Sequence, residues 1–263
     1  MDKLNDLKKY IAEIGTDGLC VAFSGGVDST LLLKVASQVL GGRLTAVTFS
    51  SRLSPKVEIS EAQSIAKQYN VRHFTLQFDE FEDQRIFDNP PERCYICKKY
   101  IFTKLLEFCK ANNLGAVADG TNADDLKQHR PGLAALKELN VFSPLAKCGF
   151  TKQEVRTIAQ EFGVTVHNKP SAPCLATRIP YGTRLSDELL KRVENSEQYL
   201  TSLCIKGCRV RVYDNLARIE VQKEDFDLLL SNKNKIIEAF KGFGFIYITL
   251  DLEGFRSGSM DLV

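Results

Sequence analysis

The sequence predicts an α/β chain: a doubly wound parallel sheet followed by a smaller C-terminal α+β domain. Two observations predict it. Short apolar runs alternate with helical patterns through the first part of the chain, which is the βαβ rhythm of a parallel sheet with helices on its faces. Past about residue 180 the order changes to helix, alternating hairpin, helix and strand.

The N-terminal stretch MDKLNDLKKYIAEIG reads as an amphipathic helix and lacks the apolar centre of a secretory signal. Strand-like runs follow at Leu19–Phe23, Leu44–Phe49, His73–Phe78 and Ala116–Asp119, with helical patterns at Ser29–Val39, Lys56–Tyr69 and Glu92–Ala111. Pro90 and Pro91 punctuate the chain before the third of these helices, since proline is tolerated in a first turn but not in an interior. A further helix, Thr151–Phe162, carries Thr151 and Glu154 at capping-box spacing and Gly163 at its end. The stretch HNKPSAPCLATRIPYGTR, His167–Arg184, has three prolines and little periodicity and reads as a functional linker. Beyond it come a helix Asp187–Leu203, the alternating RVRVYDNLARIEV, a helix Lys223–Phe240 and a strand FIYITLDL. These readings divide the chain into a domain over 1–166, a cysteine-bearing linker over 167–184 and an α+β domain over 185–263, with no internal repeat.

At 263 residues, 44% hydrophobic and 26% charged, the chain has the composition of a globular protein with a substantial core, which excludes the disordered class. No apolar run approaches membrane-spanning length, so the expected location is the cytoplasm, with no membrane partner. In that reducing compartment eight cysteines are read as core residues, metal ligands or reactive thiols rather than as a disulfide framework. A formal charge of +2 neither demands nor excludes nucleic acid.

The stretch VAFSGGVDSTLLLK, Val21–Lys34, places a glycine-rich turn between a buried strand and a helix N-terminus. Such a turn presents unpaired backbone N–H groups and the positive end of the helix dipole to an anion, so phosphate is the natural occupant. Gly25 and Gly26 permit close approach, while Ser24, Ser29 and Thr30 add hydroxyls. Asp28 is read as a magnesium or phosphate-network residue, though an aspartate at a helix start also suits the dipole. The G-x-x-x-x-G-K-[ST] spacing of kinase-like NTPases is absent. SGGVDS instead resembles the PP-loop of the ATP pyrophosphatase superfamily, whose members split ATP between its α and β phosphates and adenylate an oxygen of the substrate. The resemblance implies a sheet of that type.

Two later segments agree with it. DGTNADD, Asp119–Asp125, puts Gly120 at the end of a strand and paired carboxylates where they could hold magnesium against ATP phosphates; Asp124 is the favoured carboxylate, and a helix-capping turn is the alternative. Within PLAKCGFTKQEVRTIAQEFG, Pro144–Gly163, Lys152 and Arg156 could face the triphosphate or form a solvated helix face.

With Cys174 in KPSAPCLATRIPYG and the tail LDLEGFRSGS, the chain resembles the LarE family, pyridinium-3,5-biscarboxylic acid mononucleotide sulfurtransferases of nickel-pincer cofactor synthesis for lactate racemase. The resemblance runs from about the first strand to the C-terminus. It implies adenylation of a pyridinium carboxylate by ATP with magnesium, then sulfur attack to give a thiocarboxylate. In one branch the cysteine matching Cys174 gives up its own sulfur.

This chain departs from that branch at RCYICKK, where Cys94 and Cys97 stand three apart at a helix start. The dipole there and the neighbouring Arg93, Lys98 and Lys99 would favour thiolates. The resemblance is to the cluster-containing members, which implies that Cys94, Cys97 and Cys174 hold a [4Fe–4S] cluster fed by an external sulfide or other sulfur donor. A redox disulfide, half of a zinc site or a sacrificial Cys174 remain alternatives at this stage. Cys20 and Cys109 are expected in the core, Cys148 is uninformative, and Cys204 with Cys208 is read as packing.

The substrate implied by the family carries carboxylates and a ribosyl phosphate. Arg209 and Arg211, two apart on an alternating strand, share a face from which both could reach that phosphate. Arg178, Glu197 and Glu220 are family-based candidates for organising the site, with ordinary surface ion pairing as the alternative for the two glutamates. The family often has a histidine two positions after RVR's last arginine; here that position is Tyr213. A homo-oligomer is expected from the resemblance, and nucleic acid is not. Two other functions compete: tRNA thiolation by a PP-loop enzyme, and a non-catalytic nucleotide-binding iron–sulfur protein.

Overall fold

The computed structural model describes residues 3–53, 57–128, 130–167, 173–256 and 259–260, without the side chains of Val57 and Glu58. The helix start read at Lys56, residues 168–172 of the proline-rich stretch and residues 257–258 of the tail lie outside the described residues. The chain folds as two compact units, one from residues 1–82 and 92–172, the other from residues 83–91 and 173–263.

In chain order the first unit contains α1 (Lys3–Ile14), β1 (Leu19–Ala22), α2 (Val27–Leu40), β2 (Leu44–Ser50), α3 (Val57–Gln68) and β3 (Arg72–Gln77). After α4 (Gln84–Phe87), which belongs to the second unit, it continues with α5 (Arg93–Ala111), β4 (Ala116–Ala118), α6 (Gly132–Glu138), α7 (Pro144–Lys147) and α8 (Lys152–Glu161). The four strands form a parallel sheet in the order β3-β2-β1-β4. All four residues of β1 are buried, as a strand covered on both faces must be. Leu19 and Val21 pack with Leu31, Leu32 and Val155 on one face, whereas Cys20 and Ala22 pack with Phe102, Leu105 and Leu136 on the other, following the two-residue alternation of a strand.

This strand order reverses direction between β1 and β4, so the loops leaving their C-terminal ends flank a switch-point crevice, where open α/β sheets bind ligands. A short stretch beside β4 steadies the second of these loops: Phe142 N–H donates to Val117 O at 2.9 Å, and Asp119 N–H to Phe142 O at 2.8 Å.

The second unit contains α4, α9 (Asp187–Ser202), β5 (Arg209–Tyr213), β6 (Leu216–Glu220), α10 (Phe226–Ser231), α11 (Lys233–Gly242) and β7 (Tyr247–Leu250). β5 and β6 form the expected antiparallel hairpin, turning at Asp214, whose φ is 51°, and β7 adds parallel to β6. Within residues 173–184 a 3-10 turn spans Leu175–Arg178, and Leu175, Ala176, Arg178 and Ile179 are buried. The single helix expected over Lys223–Phe240 is instead interrupted at Asn232. There the Ser231 hydroxyl and the Asn232 amide both donate to Leu228 O, at 2.9 Å each, and so compete for a carbonyl that a continuous helix would use itself.

The capping box read from Thr151 and Glu154 is present: Glu154 N–H donates to Thr151 Oγ1 at 3.3 Å and Thr151 N–H to Glu154 Oε2 at 2.8 Å. Lys3 Nζ, 2.7 Å from the same carboxylate, and the Thr151 backbone hold the Glu154 carboxyl down at about 2. A depressed carboxyl stabilises the fold above its ordinary range and stops doing so as pH falls through the folded value. Thr151→Ala is therefore expected to lower unfolding free energy by about 1 kcal/mol at neutral pH. The stability that wild type loses as pH falls from 4.5 toward about 2 should instead be absent from Glu154→Gln in urea titrations, because that variant lacks the carboxylate that Lys3 binds.

Candidate functional site

The turn after β1 is built as the sequence requires. Gly25 has φ 73°, a conformation costly to any residue with a Cβ, and Gly26 is the N-cap of α2. Ser24 is exposed at the turn, where its Oγ accepts from Gly26 N–H at 3.3 Å and lies 3.2 Å from Ser29 Oγ. Ser29 is buried and donates to Gly26 O at 3.1 Å, so its hydroxyl shapes the loop. Thr30 is fully buried, and its Oγ1 has no hydrogen-bond partner among the described residues.

Loops from the two central strands meet at this point. A Cβ on Gly120 would stand 2.8 Å from Ser29 N and 3.0 Å from Ser29 Cα, so only glycine allows the β4 loop to approach the start of α2 this closely. The approach lets Asn122 Nδ2 donate to Asp28 Oδ1 at 3.1 Å. Asn122 Oδ1 in turn accepts from the N–H groups of Asp124 at 2.9 Å and Asp125 at 3.2 Å. Lys152, at the start of α8, closes the network: its Nζ pairs with Asp28 Oδ2, and its backbone N–H donates to Asp124 Oδ2 at 2.9 Å. That bond and the Lys127 ammonium at 2.9 Å hold the Asp124 carboxyl below its usual range. Arg156 lies one turn further along α8, half-buried.

Three participants lie outside the residues that the sequence proposes for nucleotide binding. Asn122 was hidden inside DGTNADD between more conspicuous carboxylates. Asp119 is buried and accepts from Thr121 Oγ1 at 2.5 Å and Ser143 Oγ at 2.7 Å. Lys98 Nζ lies 3.7 Å from Asp119, joining the helix that carries Cys94 and Cys97 to the β4 loop.

Cys94 is exposed and Cys97 half-buried in the first turns of α5, and neither is in a disulfide. The cations expected to serve these thiols are differently employed. Lys98 faces Asp119, and Lys99 binds Glu138 at 2.7 Å, whereas buried Arg93 has its Nη2 3.9 Å from Cys94 Sγ. Cys20, pushed up by its hydrogen-bonded neighbour Cys109 and by burial, is a core thiol, as is Cys208, pushed up to about 12 by burial. Among the described residues no three His, Cys, Asp or Glu side chains are gathered as a metal cage.

A cavity of about 460 Å³ lies at the other end of the sheet, at the starts of β2 and β3, lined by Leu44, Lys67, Arg72 and His73 among others; it is not part of the phosphate turn.

In the second unit the remaining candidates form a buried ionic scaffold. Arg178 makes a bidentate pair with Glu197, at 2.9 and 2.8 Å, and its Nη1 donates to Pro173 O at 2.7 Å and Cys174 O at 3.1 Å. Thr177 Oγ1 donates to the same Cys174 carbonyl at 2.8 Å, so the backbone of this half-buried cysteine is held by its neighbours. Arg211 is 5% exposed; its guanidinium donates to Glu220 at 2.8 Å, Ser259 at 3.1 Å and Thr177 O at 3.0 Å. Glu220 is fully buried and also bound by Arg218. Glu197 and Glu220 are therefore paired away from the surface rather than in ordinary surface ion pairs. Arg209 differs: it is half-buried, stacks over Phe255 at 5.4 Å, and burial with the nearby Arg178 charge lowers its pKa.

A glycine turn at a switch point, with an aspartate, an asparagine and a lysine bonded together beside it, defines a PP-loop nucleotide-using enzyme, and a PP-loop domain family profile matches residues 2–89. The chain is 39% identical over 244 residues to the pyridinium-3,5-bisthiocarboxylic acid mononucleotide synthase of Lactiplantibacillus plantarum, covering 92% of this chain and 88% of that protein. It is 40% identical to an uncharacterized protein of Synechocystis over 99% of this chain and 97% of that one. A tRNA-specific 2-thiouridylase of Halothermothrix orenii is 27% identical over 65% of this chain and 59% of its own length. The chain belongs to the LarE family of ATP-dependent sulfurtransferases. Among the described residues no helix is long and apolar enough to cross a membrane.

Two substitutions test this geometry. Gly120→Ala should leave the fold intact yet lower ATP–pyrophosphate exchange about a hundredfold, because the displaced loop carries Asn122 away from Asp28. Arg211→Ala should lower unfolding free energy by about 3 kcal/mol in denaturant titrations, since it strips a buried glutamate of a partner.

Proposed function

We propose that this enzyme converts a carboxylate of a pyridinium mononucleotide into a thiocarboxylate, driven by cleavage of ATP to AMP and pyrophosphate. The observation that carries the reading is the bonded set Asp28, Asn122, Asp124 and Lys152 beside an anion-binding turn. The likeness to the bisthiocarboxylic acid mononucleotide synthase supports the substrate class.

Backbone N–H groups of the turn, with Ser24, cradle the phosphates. Lys152 exchanges its bond to Asp28 for the developing negative charge on the α-phosphate. A substrate carboxylate oxygen attacks that phosphorus, and pyrophosphate leaves. Sulfur then attacks the acyl carbon, and the C–O bond breaks so that AMP departs with the oxygen. Arg209 meets the anionic group of the substrate, while Arg178, Glu197, Arg211 and Glu220 hold Cys174 and the hairpin in place. Asp28 and Asp124 suit magnesium, because their carboxylates now face lysine ammonium groups that a divalent ion can replace; when bound, it neutralises phosphate charge.

Cys94, Cys97 and Cys174 would hold an iron–sulfur cluster. The donor type suits it, since all three are thiols outside any disulfide, although among the described residues they are not gathered into one cage. When bound, such a cluster supplies an iron that can carry hydrosulfide. The partners are accordingly the mononucleotide and an external sulfur donor, and the enzyme acts as a homo-oligomer.

The test is anaerobically reconstituted protein given ATP, magnesium, pyridinium-3,5-biscarboxylic acid mononucleotide and sulfide. Pyrophosphate release should depend on the mononucleotide, with several thiocarboxylates formed per chain. Cys174→Ala should abolish thiocarboxylate while sparing pyrophosphate release. A single product per chain with conversion of Cys174 to dehydroalanine would contradict the renewable route. Pyrophosphate release without the mononucleotide, or thiolation of tRNA instead, would overturn the substrate.

A further inference from the structure

The segment Asp83–Pro91 is interrupted from its sequence neighbours in an informative way: it packs in the second unit, although the chain on both sides of it belongs to the first. Its anchor is Asn89, which is fully buried and has φ 54°. Asparagine is among the few residues that adopt this conformation readily. Its side-chain Nδ2 donates to Ile179 O at 3.3 Å and to Pro180 O at 2.8 Å, and its own carbonyl accepts from Gly182 N–H at 2.9 Å. Phe87 O accepts from Leu185 N–H at 2.9 Å, and Arg184 stacks over the Phe87 ring at 4.3 Å.

The carbonyls that Asn89 holds stand five and six residues after Cys174, directly behind the 3-10 turn Leu175–Arg178. Asn89 itself stands five residues before Cys94, with Pro90 and Pro91 between it and the cysteine helix. Arg178 and Thr177 fasten the front of the Cys174 turn through its carbonyl; Asn89 fastens the back. We propose that Asn89 is a positioning residue for sulfur transfer: one buried side chain ties the segment leading into the Cys94–Cys97 helix to the turn that presents Cys174. This rests on the reading that these three cysteines act together. Losing both donors from a buried amide exposes two carbonyls to an unmet hydrogen-bonding need, so the turn opens more often.

The test uses cluster-free full-length protein and iodoacetamide, with labelling followed at each cysteine by mass spectrometry. Asn89→Gly keeps the backbone conformation and removes the amide; Asn89→Asp keeps the shape and, when ionised, removes the donors. Both should label Cys174 about tenfold faster than wild type, with Cys94 labelling, circular dichroism and ATP–pyrophosphate exchange unchanged. After anaerobic reconstitution both should retain less iron and sulfide. Wild-type labelling of Cys174 in a folded variant would overturn the proposal. Should both variants fail to fold, hydrogen exchange of the wild type decides: the amides of Gly182, Leu185, Thr177 and Ile179 are expected to open as one unit, and independent opening would overturn it. Wild-type protein that takes up no iron or sulfide would defeat the three-cysteine reading instead, an outcome separate from the labelling rates.

Discussion

The close approach of Gly120 to the backbone of Ser29 is the constraint on which the nucleotide half of the molecule depends. A parallel sheet ordered β3-β2-β1-β4 opens a crevice between β1 and β4, but an open crevice alone is not a site. The missing side chain at 120 lets two loops touch, and their contact puts Asn122 on Asp28. Lys152 then reaches the same carboxylate from α8, so residues far apart in sequence share one charge network. The opposed charges in that network satisfy each other: Lys152 pairs with Asp28, and Lys127 with Asp124.

The second unit solves a different problem with the same residue types. Buried charges are costly unless paired with good geometry, and here Arg178 with Glu197 and Arg211 with Glu220 are paired almost wholly out of solvent. Their effect is directional rather than chiefly stabilising. Arg178 spends its remaining donors on the carbonyls of Pro173 and Cys174, and Arg211 reaches Thr177 in the same turn. A cysteine on a proline-rich segment is thereby given a defined backbone.

Local features were legible in the sequence because their causes are local. The glycines after β1, the capping box of Thr151 and Glu154 and the alternation of the hairpin each express a rule spanning a few residues, and the structure contains all three. Asn122 and Asn89 were not legible, because an amide's value lies in which distant groups it bridges, and nothing in their neighbourhood names Asp28 or Pro180. Alternation correctly placed Arg209 and Arg211 on a common face but could not tell how deeply that face is covered. The break at Asn232 was written in the sequence as Ser231 and Asn232, yet the helical periodicity around it masked two side chains that compete for Leu228 O.

The central claim is that ATP activates a substrate carboxylate at its α-phosphate before sulfur replaces the oxygen. The most direct measurement uses pyridinium-3,5-biscarboxylic acid mononucleotide labelled with oxygen-18 in its carboxylates, followed by mass analysis of the nucleotide products. The account predicts AMP carrying one labelled oxygen for each thiocarboxylate formed, with unlabelled pyrophosphate. Unlabelled AMP, or ADP and labelled phosphate, would contradict it.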